Sequence, residues 1–313
     1  MAILKLIPAC KEYLWGGTKL MTDFGKHYDG ETLAETWELS CHPDGPSRIG
    51  EGPMAGQTLN AYIDAFGRKV LGTHGAAFES FPVLIKFIDA RQDLSIQVHP
   101  SDDYALKNEH QYGKTEMWYV VDCEPGASLY FDFSRTVDAG EFKARIEDHT
   151  LTEVLNKVRV KKGDVFFIQS GTIHAIGAGI VVAEIQQNSN VTYRVYDYGR
   201  VDKDGRPRPL QVDQALKVTR TCPEAVPQSF AWHLGSCRYF TVDRLVLDGG
   251  YVREVSGQVD ERSFLSILIL DGHGTVSDGE GSVAFQKGDS LFIPAGTGAY
   301  KIQGQCEALL TTV

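Results

Sequence analysis

Residues 93–100 read DLSIQVHP, where Ser95, Gln97 and His99 alternate with Leu94, Ile96 and Val98. Along a strand, period two sends all three polar side chains to one face. In the strand candidate 114–121, Lys114, Glu116 and Trp118 share a face for the same reason. His174 follows the turn Gln169-Ser170-Gly171-Thr172. A lone histidine is more often a satisfied core or surface residue than a ligand. Here Gln97, His99, Glu116 and His174 together supply two imidazoles, a carboxylate and a neutral oxygen donor. Such a set suits Zn2+ in an open catalytic site, and Fe2+ or Mn2+ would accept it too. A second set, Arg194, Arg200, Lys86 and Ser95, could hold an anion: arginine offers a two-pronged fork, lysine a compact point charge. The structural alternative for Arg194 is an ion pair with Asp197 or a neighbour. Arg206 and Arg208 read as loop charges, and Lys86 reads as an edge or snorkelling lysine in an apolar strand.

The elements that must position these side chains are mostly strands. Val165-Phe166-Phe167-Ile168 and Ile180 to Ala183 are apolar runs bounded by glycine turns. Tyr193 to Tyr198 alternates aromatics with charges. Lys162–Thr172 aligns without gaps on Lys287–Thr297, with seven of eleven positions identical, so the chain carries an internal duplication. Helical spacing marks 58–72, 137–156 and 209–220, read as insertions, with Thr58 placed to cap the first, and Asp102 to Glu109 reads as a short helical turn. Thr221 to Gln228, with two prolines, reads as a linker. The expected domains are therefore 1–221, carrying the metal site, and 222–313, a smaller β-domain.

The spacing of glycines, proline and histidine in the repeat resembles the second motif of the cupin jelly roll. The first copy has Gln169 for the proline and keeps His174; the second keeps Pro294 and has Ala299 where the histidine would stand. The implied fold class is mainly β, two cupin-type jelly-roll barrels with short helical insertions, the second lacking metal ligands. Leu94–Pro100, Lys114–Trp118, Gly171–Gly177 and Thr192-Tyr193-Arg194 resemble type I phosphomannose isomerases in their shorter bacterial form. The likeness extends to Trp15-Gly16-Gly17 and Glu35-Thr36-Trp37-Glu38.

That resemblance implies a zinc-dependent interconversion of mannose 6-phosphate and fructose 6-phosphate through a cis-enediol. It implies one Zn2+ per chain on His99, Glu116 and His174 with Gln97 as a further ligand, and Arg194 as the catalytic arginine. Lys86 and Ser95 fall on substrate-pocket positions. Arg200 stands where longer relatives have a lysine, and joins the substrate set. Glu184 is the first candidate for the proton-transferring base, since a pocket can raise a carboxylate toward neutral pKa; Lys114, His42 and a metal-bound water are further candidates. Rival readings are a bicupin Fe(II) oxygenase and a non-catalytic sugar-phosphate-binding protein.

The remaining composition narrows the class. A net charge of -10 disfavours nucleic acid and acidic membranes as partners, so an anionic substrate needs a local cationic pocket. No run of 18 apolar residues predicts a membrane span, and the apolar part of MAILKLIPAC is too short for a signal peptide. The six cysteines contain no CxxC and read as reduced thiols of a cytoplasmic protein. The expected partner is a small sugar phosphate, and the expected state a monomer or weak homodimer.

Overall fold

The structure, a computed structural model, describes residues 3–201, 205–223 and 232–313. It is mainly β, with strands in open antiparallel sheets rather than the closed barrels expected. The chain forms two compact units that do not follow the 221/222 boundary. One comprises residues 12–18 and 88–228; the other comprises 1–11, 19–87 and 229–313. The reason is non-local pairing: the strand Leu4–Ile7 lies antiparallel to Ser290–Ile293. Residues 224–228 of the expected linker lie outside the described residues.

In the 88–228 unit, a five-stranded sheet runs in the order Tyr193–Tyr196, Ile96–Val98, His174–Ala175, Ser128–Phe133, Leu155–Arg159. Its outer face is apolar. Ile96, Val98, Tyr193 and Val195 pack with Phe142 and Ile146 of the helix Ala139–Glu147 and Ala215 of the helix Val212–Val218. The helical insertions thus cover the face that strand alternation leaves hydrophobic. The inner face carries the polar row. Arg194 and His174 both lie opposite Gln97 in register, and opposed residues of antiparallel strands share a face. A second antiparallel set, Val165–Ile168, Glu116–Cys123 and Ile180–Gln187, puts Glu184 opposite Trp118 and Gln186 opposite Glu116.

The other unit is built on the long strands Leu265–Ser277 and Gly298–Thr312. Thr58 caps the helix Leu59–Phe66, its hydroxyl accepting from the Ala61 N–H at 3.2 Å. Here the duplication shows in the backbone. Gly163 and Gly288 have φ of 91° and 90°, a left-handed turn that glycine alone makes freely. The Asp164 carboxylate accepts from the Lys161 N–H at 2.9 Å, and Asp289 accepts from the Gln286 N–H at 2.8 Å. Gly171 N–H donates to the His99 carbonyl, and Gly296 N–H donates to the Asp260 carbonyl, each at 2.8 Å. Ile168 lies opposite Glu116, and Ile293 lies opposite Leu265. Asp260, Leu265 and Ala299 therefore occupy the places that His99, Glu116 and His174 hold in the first copy.

All six cysteines are free, and among the described residues no helix is long and apolar enough to cross a membrane.

Candidate metal and substrate site

His99, Glu116 and His174 are buried, and their ligand atoms lie within 4.8 Å of one another. Among the described residues they form the one group of three or more such side chains so placed. The two imidazole rings are 4.9 Å apart, centroid to centroid. His174 Nε2 stands 3.3 Å from Glu116 Oε1, and His99 Nε2 stands 3.7 Å from Glu116 Oε2. Their other ring nitrogens are anchored. His99 Nδ1 bonds to the Val191 carbonyl at 2.8 Å, and His174 Nδ1 bonds to the Thr172 carbonyl at 2.9 Å. A carbonyl only accepts, so each Nδ1 carries the hydrogen and each Nε2 lone pair points at the carboxylate, as in metal sites with ordered outer ligands. Burial pushes the His174 imidazole down to about 4, against the raising effect of its Thr172 bond; Lys114 lowers it further and Glu184 raises it. It is neutral at physiological pH, the form a metal needs. This donor set fits a divalent cation.

Gln97 joins the set: its amide nitrogen is 3.4 Å from His174 Nε2. Exchange of the amide ends, indistinguishable by shape, would turn the oxygen inward instead. Ser95 Oγ donates to Gln97 Oε1 at 3.4 Å, on the same strand face.

Lys114 is buried among these groups. Its Nζ lies 2.7 Å from Glu116 Oε2, 3.4 Å from His99 Nε2 and 3.5 Å from Glu184 Oε1. Glu184 is buried too, its Oε2 accepting from Trp118 Nε1 at 2.9 Å. The indole donor fixes one carboxylate oxygen, and the ammonium faces the other. Trp118 was assigned no role from sequence. It shares a face with Glu116 there, but only the pairing of 116–123 with 180–187 shows that it meets Glu184.

Arg194 lies on the inner sheet face, in line with Gln97 and His174. Gln211 braces its backbone, accepting from the Arg194 N–H at 3.0 Å and donating its own N–H to the Arg194 carbonyl at 2.8 Å. Asp197, one of the partners expected for it, is engaged by two other arginines. Asp197 binds Arg200, and it binds Arg208 through Nε at 2.7 Å and Nη2 at 2.5 Å. Arg200 also lies over the Tyr198 ring at 5.4 Å. Arg208, expected to be a loop charge, closes this clamp.

Burial raises the Asp197 carboxyl, but the hydrogen bonds from Arg208 and Arg200 outweigh it and hold the group below its ordinary 3.8. The linkage sign follows: the clamp is fully present above the ordinary carboxylate value and is lost as pH falls through the lower folded value. Asp197→Asn should therefore cost about 1–2 kcal/mol at pH 7, the scale of a partly buried pair. Acid unfolding followed by circular dichroism should show that gap closing as pH falls below about 4. A constant gap down to pH 2 would remove the clamp from the stability account.

Two expected site residues lie in the other unit. Lys86 is buried rather than snorkelling, 3.5 Å from Glu35 Oε2 and over the Trp37 ring at 5.1 Å. His42 is buried; its Nδ1 accepts from the Asp44 N–H at 3.1 Å and its ring meets Trp37 edge-on.

Comparison with known proteins decides the family. Residues 3–122 match the type I phosphomannose isomerase catalytic domain, and residues 233–313 match the mannose-6-phosphate isomerase cupin domain. The mannose-6-phosphate isomerase ManA of Bacillus subtilis (strain 168) is 36% identical over 316 residues, covering 97% of this chain and 96% of its own. The chain belongs to the type I phosphomannose isomerases. The crystal structure of the Bacillus subtilis mannose 6-phosphate isomerase superposes with a TM-score of 0.89 at 32% identity, covering 100% of both chains. A mannose 6-phosphate isomerase bound with zinc and yttrium shares the fold at TM-score 0.75 and 18% identity, covering 99% of each chain. Within this type I frame, the row Arg194–Gln97–His174 and the Glu116–Lys114–Glu184 group stand on facing elements of one unit.

Proposed function

We propose that this chain is a Zn2+-dependent enzyme that interconverts mannose 6-phosphate and fructose 6-phosphate through a cis-enediol. The observation that carries the reading is the buried His99–Glu116–His174 set with Lys114 Nζ 2.7 Å from Glu116. Near-full-length similarity to named isomerases supports the substrate.

The reaction moves a proton between C2 and C1 of the open-chain sugar while the carbonyl moves the other way. His99, Glu116 and His174, with Gln97 as a fourth donor, would hold Zn2+, which when bound would supply Lewis-acid polarisation of the carbonyl oxygen. Glu184 takes the proton from one carbon and returns it to the other. Its Trp118 bond holds one oxygen still and leaves the second toward Lys114. Lys114 positions both carboxylates and can protonate an enediolate oxygen. Arg194 places a guanidinium beside the developing negative charge. Ser95 and Arg200, in the same unit, complete the substrate set, Arg200 being oriented by Asp197. The second copy, with Asp260, Leu265 and Ala299 at the ligand places, serves packing and not chemistry. Six free thiols suit a cytoplasmic enzyme.

The test is turnover. Purified protein should hold about one Zn2+ per chain, as a single open site implies, and should convert mannose 6-phosphate to fructose 6-phosphate without O2. Metal-replete protein that turns over nothing anaerobically sinks the isomerase reading, and a dependence on O2 and Fe2+ would install the oxygenase instead.

A further inference from the structure

We propose that the 88–228 unit carries a second anion site, for a phosphate-bearing small molecule, apart from the metal centre. The site is a cavity of about 680 Å³ lined by the helix Asp102–Asn108, the end of the helix Val212–Val218 and the turn at Ser170-Gly171.

The cavity lies on the outer side of the five-stranded sheet. Tyr104 and Val218, which line it, pack against the cluster holding Ile96, Val98 and Ala215. Gln97, His174 and Arg194 share the opposite face. A ligand here therefore does not share the metal centre.

Its charge is local and against the trend of the chain. Lys107, Lys217 and Arg220 converge on it with one carboxylate, Asp103, in a protein of net charge -10. Lys107 and Lys217 are exposed and, among the described residues, in no ion pair. Arg220 donates to Gln169 Oε1 at 3.2 Å and to Thr172 Oγ1 at 2.5 Å. Its position depends on a glycine. A Cβ at Gly171 would come within 2.9 Å of Arg220 Cγ and 3.0 Å of the Val218 carbonyl. One guanidinium fork and two ammonium groups are the groups that bind a phosphate dianion. The hydroxyls of Ser101 and Ser170 and the amide of Asn108 add donors and acceptors for a hydroxylated body. The proposal does not depend on the isomerase reading.

Inorganic phosphate and glucose 6-phosphate should be titrated calorimetrically into the metal-loaded protein at about 0.15 M salt, where long-range attraction is screened. Lys107→Glu combined with Lys217→Glu should remove one phosphate equivalent that the unaltered protein binds, or weaken it about tenfold or more. Thermal stability should be unaltered, and so should turnover in phosphate-free buffer. Asp103→Asn should tighten the same equivalent. Glucose 6-phosphate binding there more tightly than phosphate identifies a sugar phosphate as the ligand; equal binding identifies the free anion. Phosphate stoichiometry and affinity unchanged in the double variant overturn the site. So does an equal loss when Lys143 and Lys162, exposed elsewhere, are reversed instead.

Discussion

Glu116→Gln should empty the metal site and abolish turnover. The carboxylate is the anionic donor beside two neutral imidazoles and the nearest counter-charge of the Lys114 ammonium, so a bound cation and the lysine both lose their negative partner. Glutamine keeps the shape and one carbonyl oxygen, which separates charge from packing. Metal content should fall from about one per chain to near zero, because an amide is a far weaker ligand than a carboxylate. The rate kcat/KM should fall on the order of a thousandfold or more, the several kcal/mol that Lewis-acid stabilisation supplies. The fold should survive, since Lys114 keeps Glu184 as a counter-charge. His174→Ala tests the same set from the neighbouring sheet, and should also lose the metal. Two variants that kept full metal and near-normal turnover would remove these residues from the centre.

Arg194→Ala has the next largest expected effect, and its signature differs. Metal content should stay unchanged, because the side chain is absent from the ligand group. If the guanidinium stabilises the enediolate, kcat should fall about a hundredfold with KM nearly constant, the scale of losing one charge-stabilising donor. If it grips the phosphate instead, KM should rise and kcat should hold. Arg194→Lys refines the result, since lysine keeps the charge and loses the fork. An innocuous Arg194→Ala would instead return the residue to a structural pairing with a neighbour, Asp197 being engaged by Arg200 and Arg208. It would move the catalytic assignment to Arg200 or Lys86.

The candidate metal cluster was legible because its residues sit in short-range patterns. Alternation in 93–100 puts Gln97 and His99 together, and the same alternation puts Lys114 with Glu116. The repeat marks His174 without any pairing information. Register was not legible, since it depends on which strands become neighbours. That Arg194 lies opposite Gln97, and Trp118 opposite Glu184, is fixed by partners far along the chain. The same holds for the compact units. Nothing local in Leu4–Ile7 announces a partner at Ser290–Ile293. Lys86 misled for a related reason: an apolar strand with one lysine suggests an edge, and its cover, Glu35 and Trp37, comes from a separate segment.

The unequal copies bear on what this chain can still become. Where the first copy ends its repeat in a two-residue strand, His174–Ala175, the second runs on through Gly298–Thr312, fifteen residues long. Ala299 lies in that run opposite Gln258, and Leu265 is packed in the apolar cluster with Ile267 and Ile293. Metal binding there would need new donors at Leu265 and Ala299, the first of which buries a carboxylate among hydrocarbon before any cation can compensate it. Neither replacement alone completes a donor set, so the two copies stay unequal under single changes. The second half is left open to drift in length and surface, provided its core stays full.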